Sequence, residues 1–331
     1  MIEEVNIMTV EQDISFFSDG LTLAGTVTLP DDQGPYPGVV LVPGSGQVDR
    51  NENSKKLAIN AFREIAVHLA DMGFASLRYD KRGVGKSQGD FWKTGFFDNV
   101  LDASAALSKF RTYEHIQPEQ TFLLGHSEGA VIATRLTATG ADVKGVILLA
   151  GTAQSGEDTL LWQEEQVLRG MGGLNGFLIH ALHFDVQKAQ RKQLEKIKHS
   201  TEDWYRVQLV AKVNAKWMRE FLKYDPADDL PKIQVPMLAI TGSKDIQVNP
   251  SDLGRMAELV NADFESYEVP DVTHILRKEE GEATLSTYRQ QVKRPVDERV
   301  LSTISGWLER QVGLMQPQHA VEYGHRHSSL P

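Results

Sequence analysis

Apolar positions follow two alternating rhythms along this chain. Gly38-Val39-Val40-Leu41-Val42, Phe74-Ala75-Ser76-Leu77-Arg78-Tyr79, Thr121-Phe122-Leu123-Leu124, Gly145-Val146-Ile147-Leu148-Leu149-Ala150 and Val235-Pro236-Met237-Leu238-Ala239-Ile240-Thr241 are short, largely apolar runs. Such runs suit parallel strands covered on both faces. Between them apolar residues recur every three or four positions. Lys56 to Met72 carries Ala58, Phe62, Ile65, Ala66 and Leu69 on one helical face. Helices are also predicted from about Asp98 to Phe110, over Ala130 to Leu136, Pro250 to Val260 and Val296 to Gln311, with one more strand at Phe264 to Val269. Near the start, Leu21 to Leu29 alternates apolar and polar residues, and Asp19-Gly20 reads as the turn from an earlier strand, Ile14 to Phe17. Repeated strand–helix alternation predicts an α/β fold with a mostly parallel, doubly wound sheet.

The rhythm breaks from about Thr152 to Lys232. No convincing strand is visible there. Val210, Val213, Trp217, Phe221 and Tyr224 form a one-faced stripe at helical spacing, and Gly170, Gly172, Gly173 and Gly176 suggest a bend between helices. The expected organisation is a sheet core over 1–151, a helical cap inserted at 152–232, a second part of the core at 233–313, and a disordered tail at 314–331. His319, His325 and His327 fall in that tail, where metal binding is the minor alternative.

Composition narrows the function classes. With 41% hydrophobic and 24% charged residues, the chain is ordinary for a globular protein. A net charge of −10 argues against nucleic acid or an anionic membrane as the main partner. The absence of cysteine removes disulfides, thiolate catalysis and cysteine-held zinc. Met1-Ile2-Glu3-Glu4-Val5 shows no secretory signal, and no apolar stretch approaches the ~18 residues of a membrane span. A cytoplasmic protein without a membrane span, monomeric or homodimeric, is expected.

The chemistry concentrates at Gly125-His126-Ser127-Glu128-Gly129. This is G-x-S-x-G between a strand and a helix, the setting of a nucleophile elbow, with Ser127 as nucleophile. A serine needs a base to take its proton and an acid to orient that base. In this arrangement the acid and then the base follow the serine along the chain. Asp245 stands just past the strand that ends at Thr241, and His274 follows the Phe264–Val269 strand. Asp271 is a poor orienter for His274 because it shares its loop. Two backbone N–H groups should bind the oxyanion, those of Glu128 and Ser45, with Gly46 as fallback.

Other residues near these positions carry two readings each. His126 reads as a packing or supporting residue rather than a catalytic one. The Glu128 side chain is structural or meets a substrate amine. Asp49 and Arg50 shape the pocket mouth or pair with each other. Trp162 and Trp217 belong to the core or line the pocket. Gly83-Val84-Gly85-Lys86-Ser87 imitates a phosphate loop but has Asp80 where the first glycine belongs, so it reads as a structural turn.

Taken in order, Pro43-Gly44-Ser45-Gly46 with Asp49-Arg50-Asn51, Arg78 to Ser87, the elbow, Gly242-Ser243-Lys244-Asp245 and His274 resemble the alpha/beta-hydrolase superfamily, in its bacterial esterase and serine-aminopeptidase-like branch. Many relatives have His-Gly at Pro43-Gly44. The resemblance implies an alpha/beta-hydrolase fold, with a mostly parallel eight-stranded sheet and an inserted cap. It also implies hydrolysis of a small-molecule ester of a small or medium acyl group, with neither metal nor cofactor. An aminopeptidase, amidase or thioesterase on the same triad is the alternative. A receptor-like hydrolase fold that only binds is the non-enzymatic one.

Overall fold

The computed structural model describes residues 9–169, 183–207, 211–314 and 325–327. The N-terminal pentapeptide, the four glycines of the expected bend, Val210 and His319 lie outside the described residues.

The chain opens with an antiparallel hairpin, β1 (Val10–Ser18) and β2 (Leu21–Leu29), joined by Asp19 and Gly20 at φ 47° and 76°. Two successive positive φ angles match the twist of a tight hairpin, which explains the Asp-Gly pair. Alternation then follows. β3 (Tyr36–Val42) leads to α1 (Ala61–Asp71), and β4 (Ala75–Tyr79) to α2 (Phe96–Arg111). β5 (Ile116–His126) leads to α3 (Glu128–Ala138), and β6 (Gly145–Leu149) ends the first half. After the insertion come β9 (Met237–Gly242), α7 (Asp252–Leu259), β10 (Phe264–Val269), α8 (Tyr288–Gln291) and α9 (Glu298–Gln311).

The strands lie in the order β1-β2-β4-β3-β5-β6-β9-β10, and β4 through β10 are parallel. All residues of β4, β6 and β9 are buried, as their apolar runs require. One face packs against α1 and α9 through Phe62, Ile65, Leu69, Ile304 and Trp307. The other packs against α2, α3 and α7 through Phe110, Ile132, Leu136 and Met256. The architecture is the expected alpha/beta-hydrolase fold. A ninth edge strand, β11 (His325–His327), pairs antiparallel with Phe264–Ser266. It comes from the segment expected to lack structure, and the unpaired edge of β10 supplies the hydrogen-bonding groups that order it.

The insertion between β6 and β9 carries α4 (Gly156–Arg169), α5 (His183–His199) and α6 (Ala215–Lys223). It also carries a hairpin, β7 (Trp204–Val207) with β8 (Ala211–Asn214), where no strand was expected. The stripe that seemed continuous is two elements. Val213 belongs to β8, whereas Trp217 and Phe221 share the face of α6. A spacing of four fits a strand of period two as well as a helix, so Val213 matched both. Asn214 marks the boundary, because its side chain accepts the Trp217 N–H and caps α6. Among the described residues no helix is long and apolar enough to cross a membrane.

Candidate active site

Strand order reverses between β3 and β5, which lie side by side while their chains continue in opposite directions along the sheet. Ligands in open α/β sheets bind beyond the carboxyl ends of strands at such a point. The loop after β3 and the turn after β5 both lie there.

Ser127 occupies that turn at φ 54° and ψ −119°. A non-glycine residue in this region is strained by about 1–3 kcal/mol, and the surrounding packing must hold it. The two glycines explain how. A Cβ on Gly125 would stand 2.0 Å from the Gly129 carbonyl oxygen, and one on Gly129 would stand 1.9 Å from that of Val42. Strand and helix therefore close on each other directly behind the serine. The Ser127 N–H donates to the Leu149 carbonyl at 2.9 Å, tying the turn to β6.

Asp245 and His274 meet as the sequence suggests. His274 Nδ1 lies 2.8 Å from Asp245 Oδ2, and both side chains are buried. The other carboxylate oxygen, Oδ1, accepts the N–H groups of Gln247 at 2.7 Å and Val248 at 2.9 Å. Asp271 is taken elsewhere, paired with Lys244 at 2.8 Å. Ser127 and His274 line one cavity of about 260 Å³, together with Gly44, Ser45, His126, Gln247 and Tyr288. Gln247 Nε2 donates to the Tyr288 hydroxyl at 3.0 Å. Burial and the nearby Asp245 charge push that hydroxyl's pKa above the ordinary tyrosine value.

The loop after β3 runs close to the elbow. A Cβ on Gly44 would stand 3.4 Å from that of Ser127. The Gly44 N–H donates to Glu52 Oε1 at 2.8 Å, so the donors that follow it in this loop are those of Ser45 and Gly46. Glu128 is the first residue of α3, where a backbone N–H has no intrahelical acceptor. The expected pair of oxyanion donors thus belongs to the loop and the helix start that flank Ser127.

Glu52 went unnoticed in the sequence. It is 2% exposed, sits at φ 65°, and sets Oε2 2.7 Å from His126 Nδ1, off the line of a well-aligned hydrogen bond. His126 Nε2 lies 2.8 Å from the His274 carbonyl oxygen, and the two rings are 5.0 Å apart. A carbonyl only accepts, so this nitrogen carries a proton, and the carboxylate favours one on the other. Burial alone would favour the neutral ring. The Glu52 charge more than offsets that, and the pKa of His126 lies above the ordinary histidine value. His126 is thus a buried brace between the loop after β3 and the backbone of His274.

Glu128 has a similar structural role. Its buried carboxylate accepts from Lys81 Nζ at 2.9 Å, Asn99 Nδ2 at 3.0 Å and Trp217 Nε1 at 2.6 Å. It joins the core to α6 of the insertion, with both oxygens engaged by protein donors. Trp217 stacks on Phe221, and both line a cavity of about 50 Å³ in front of Ser127. Trp162 is half-buried on α4, where Thr159, Leu160 and Gln163 reach this cavity. Asp49 and Arg50 build the loop rather than a pocket wall. Asp49 accepts the N–H groups of Asn51 and Asn53, and Arg50 pairs with Asp80 at 2.8 Å, not with Asp49. Asp80 also accepts the Lys86 N–H at 2.9 Å, so its own carboxylate fills the turn that resembled a phosphate loop.

Comparison with known proteins agrees with this fold. The family model described as serine aminopeptidase, S33, matches residues 57–281. Esterase EstD of Thermotoga maritima is 28% identical over 292 residues, which cover 86% of this chain but 65% of that protein's length. The ferulic-acid-bound structure of Est1E from Butyrivibrio proteoclasticus superposes with a TM-score of 0.61 at 16% identity, covering 91% of this chain and 99% of that one. The Pyrococcus furiosus esterase PF2001 gives a TM-score of 0.58 at 16% identity, with 92% of each chain covered.

Proposed function

This chain belongs to the serine aminopeptidase S33 family, and we propose that it is a serine hydrolase of carboxylic esters with small or medium acyl groups. One arrangement carries the reading. A buried Asp245 carboxylate, fixed by two backbone N–H groups, holds the imidazole of His274 in a cavity shared with the strained Ser127. The Asp245 contact keeps a proton on Nδ1, which leaves Nε2 to take the proton of Ser127 as its oxygen attacks the ester carbonyl. The N–H groups of Glu128 and Ser45 bind the oxyanion, each worth roughly 3–4 kcal/mol in the transition state. His274 passes its proton to the leaving alcohol. Water, activated by the same imidazole, then cleaves the acyl-serine and restores the free hydroxyl. The esterases named among the relatives support this reading.

Aminopeptidase chemistry needs a free carboxylate near Ser127 to hold the substrate amine. Glu128 and Glu52 are the acidic residues lining the two cavities that Ser127 touches, and each is engaged by protein donors. In the early insertion Glu157 pairs with Lys198, Asp158 with Ser155 and Glu165 with Arg169, and Glu164 also has a partner. Ester hydrolysis is therefore the better fit. A panel of 4-nitrophenyl acetate, butyrate and hexanoate against alanine 4-nitroanilide tests it. The esters should win in kcat/KM by about a hundredfold or more. Preferential cleavage of the anilide would refute it.

A further inference from the structure

A cavity near the elbow carries charge of one sign. Its volume is about 530 Å³, and it shares Ser45 and Trp217 with the small cavity in front of Ser127. Among the described residues four lysines line it, Lys55, Lys56, Lys81 and Lys212, and no aspartate or glutamate does. That is opposite to the whole chain, whose net charge is −10. Lys81 is neutralised by Glu128. Among the described residues no carboxylate pairs with the other three. Lys55 and Lys56 are exposed on the loop after β3. The Lys212 ammonium is held at the hairpin by two aromatic faces, 3.9 Å from the Trp204 ring centre and 4.5 Å from that of Trp92. Aromatic faces fix a cation in place without cancelling its charge. Trp92, Trp217 and Met218 give the wall an apolar part, and Gln47, Asn99 and Asn214 add polar groups beside it.

Building on the ester-hydrolase reading, we propose that this cavity receives an acyl chain ending in a free carboxylate, so that the preferred substrates are half-esters of dicarboxylic acids. The apolar wall takes the methylene body. The three unpaired lysines take the anionic end, and low-dielectric walls focus their field toward Ser127. The same charges repel an α-ammonium group, so aminoacyl substrates are disfavoured at this end of the site.

The test compares mono-4-nitrophenyl adipate with 4-nitrophenyl hexanoate, which differ in the group at the chain end. The half-ester should be preferred in kcat/KM by about tenfold or more. That preference should shrink as salt rises. In Lys55→Gln/Lys56→Gln/Lys212→Met the ratio should fall to near one. Lys55→Gln alone, at an exposed position, should lower the ratio measurably if the triple variant fails to fold. A ratio of one or less in the unaltered protein, or a ratio that survives these substitutions, overturns the inference. Calorimetry with free adipate and hexane-1,6-diol needs no turnover. If neither ester is cleaved yet adipate binds through these lysines, the anion site stands and the hydrolase reading falls. If the hexanoate ester is cleaved but adipate binds no better than the diol, the hydrolase reading stands and the anion site falls.

Discussion

At the scale of single residues, Ser127 and His126 divide the labour at the end of β5. Ser127 is held at φ 54° in the turn that opens α3. Ser127→Ala should lower kcat by about 10⁶-fold while the circular-dichroism spectrum is unchanged, because triad members act as a unit. His126 braces the backbone of His274 and touches Glu52. Its raised pKa fixes a sign. Folding favours the charged ring, so the stability it contributes is complete below the unfolded value and is lost as pH rises through the higher folded value. The melting temperature should therefore fall as pH rises from about 6 to above that folded value. Glu52→Gln should flatten the fall, and parallel thermal scans of the two proteins across that range would check it. Ser127, Asp245 and His274 were legible in sequence because the elbow and the strand ends constrain where each stands. Glu52 was not, since a lone glutamate in a polar loop gives no sign that it will be buried against a histidine from another strand.

Among elements, the sheet strands and their helices were readable, because full burial enforces unbroken apolar runs and one-faced helices. The insertion was harder. Its small cluster of Leu194, Ile197 and Leu222 places few demands on the pattern, and a four-residue strand shows only two alternations. Asn214 was the signal that the apolar stripe concealed. Besides capping α6, its side chain donates to the carbonyls of Phe91 and Thr94 at 2.6 and 2.7 Å, fastening the insertion to the loop before α2. Asn214→Ala removes the cap and leaves two carbonyls without their donor. It should destabilise the protein by about 1–2 kcal/mol in urea unfolding. It should also raise KM, because Trp217 begins its helix from this cap.

At the scale of the whole molecule, strand order decides where chemistry happens. The adjacency of β3 and β5 brings the Gly44–Gly46 loop against the elbow, and β9 and β10 deliver Asp245 and His274 from later in the chain. No local pattern encodes that order. It was accessible through the resemblance of the ordered motifs, since the fold that they share brings its own topology. The sign of charge in the large cavity was equally hidden, because Lys212 lies far along the chain from Lys55 and Lys56 and the chain as a whole is acidic. The most direct test is to treat the protein with a fluorophosphonate and map the adduct by mass spectrometry. The account predicts one covalent adduct, on Ser127, forming far more slowly in His274→Ala. An unmodified Ser127, or modification there at the same rate without His274, would contradict it.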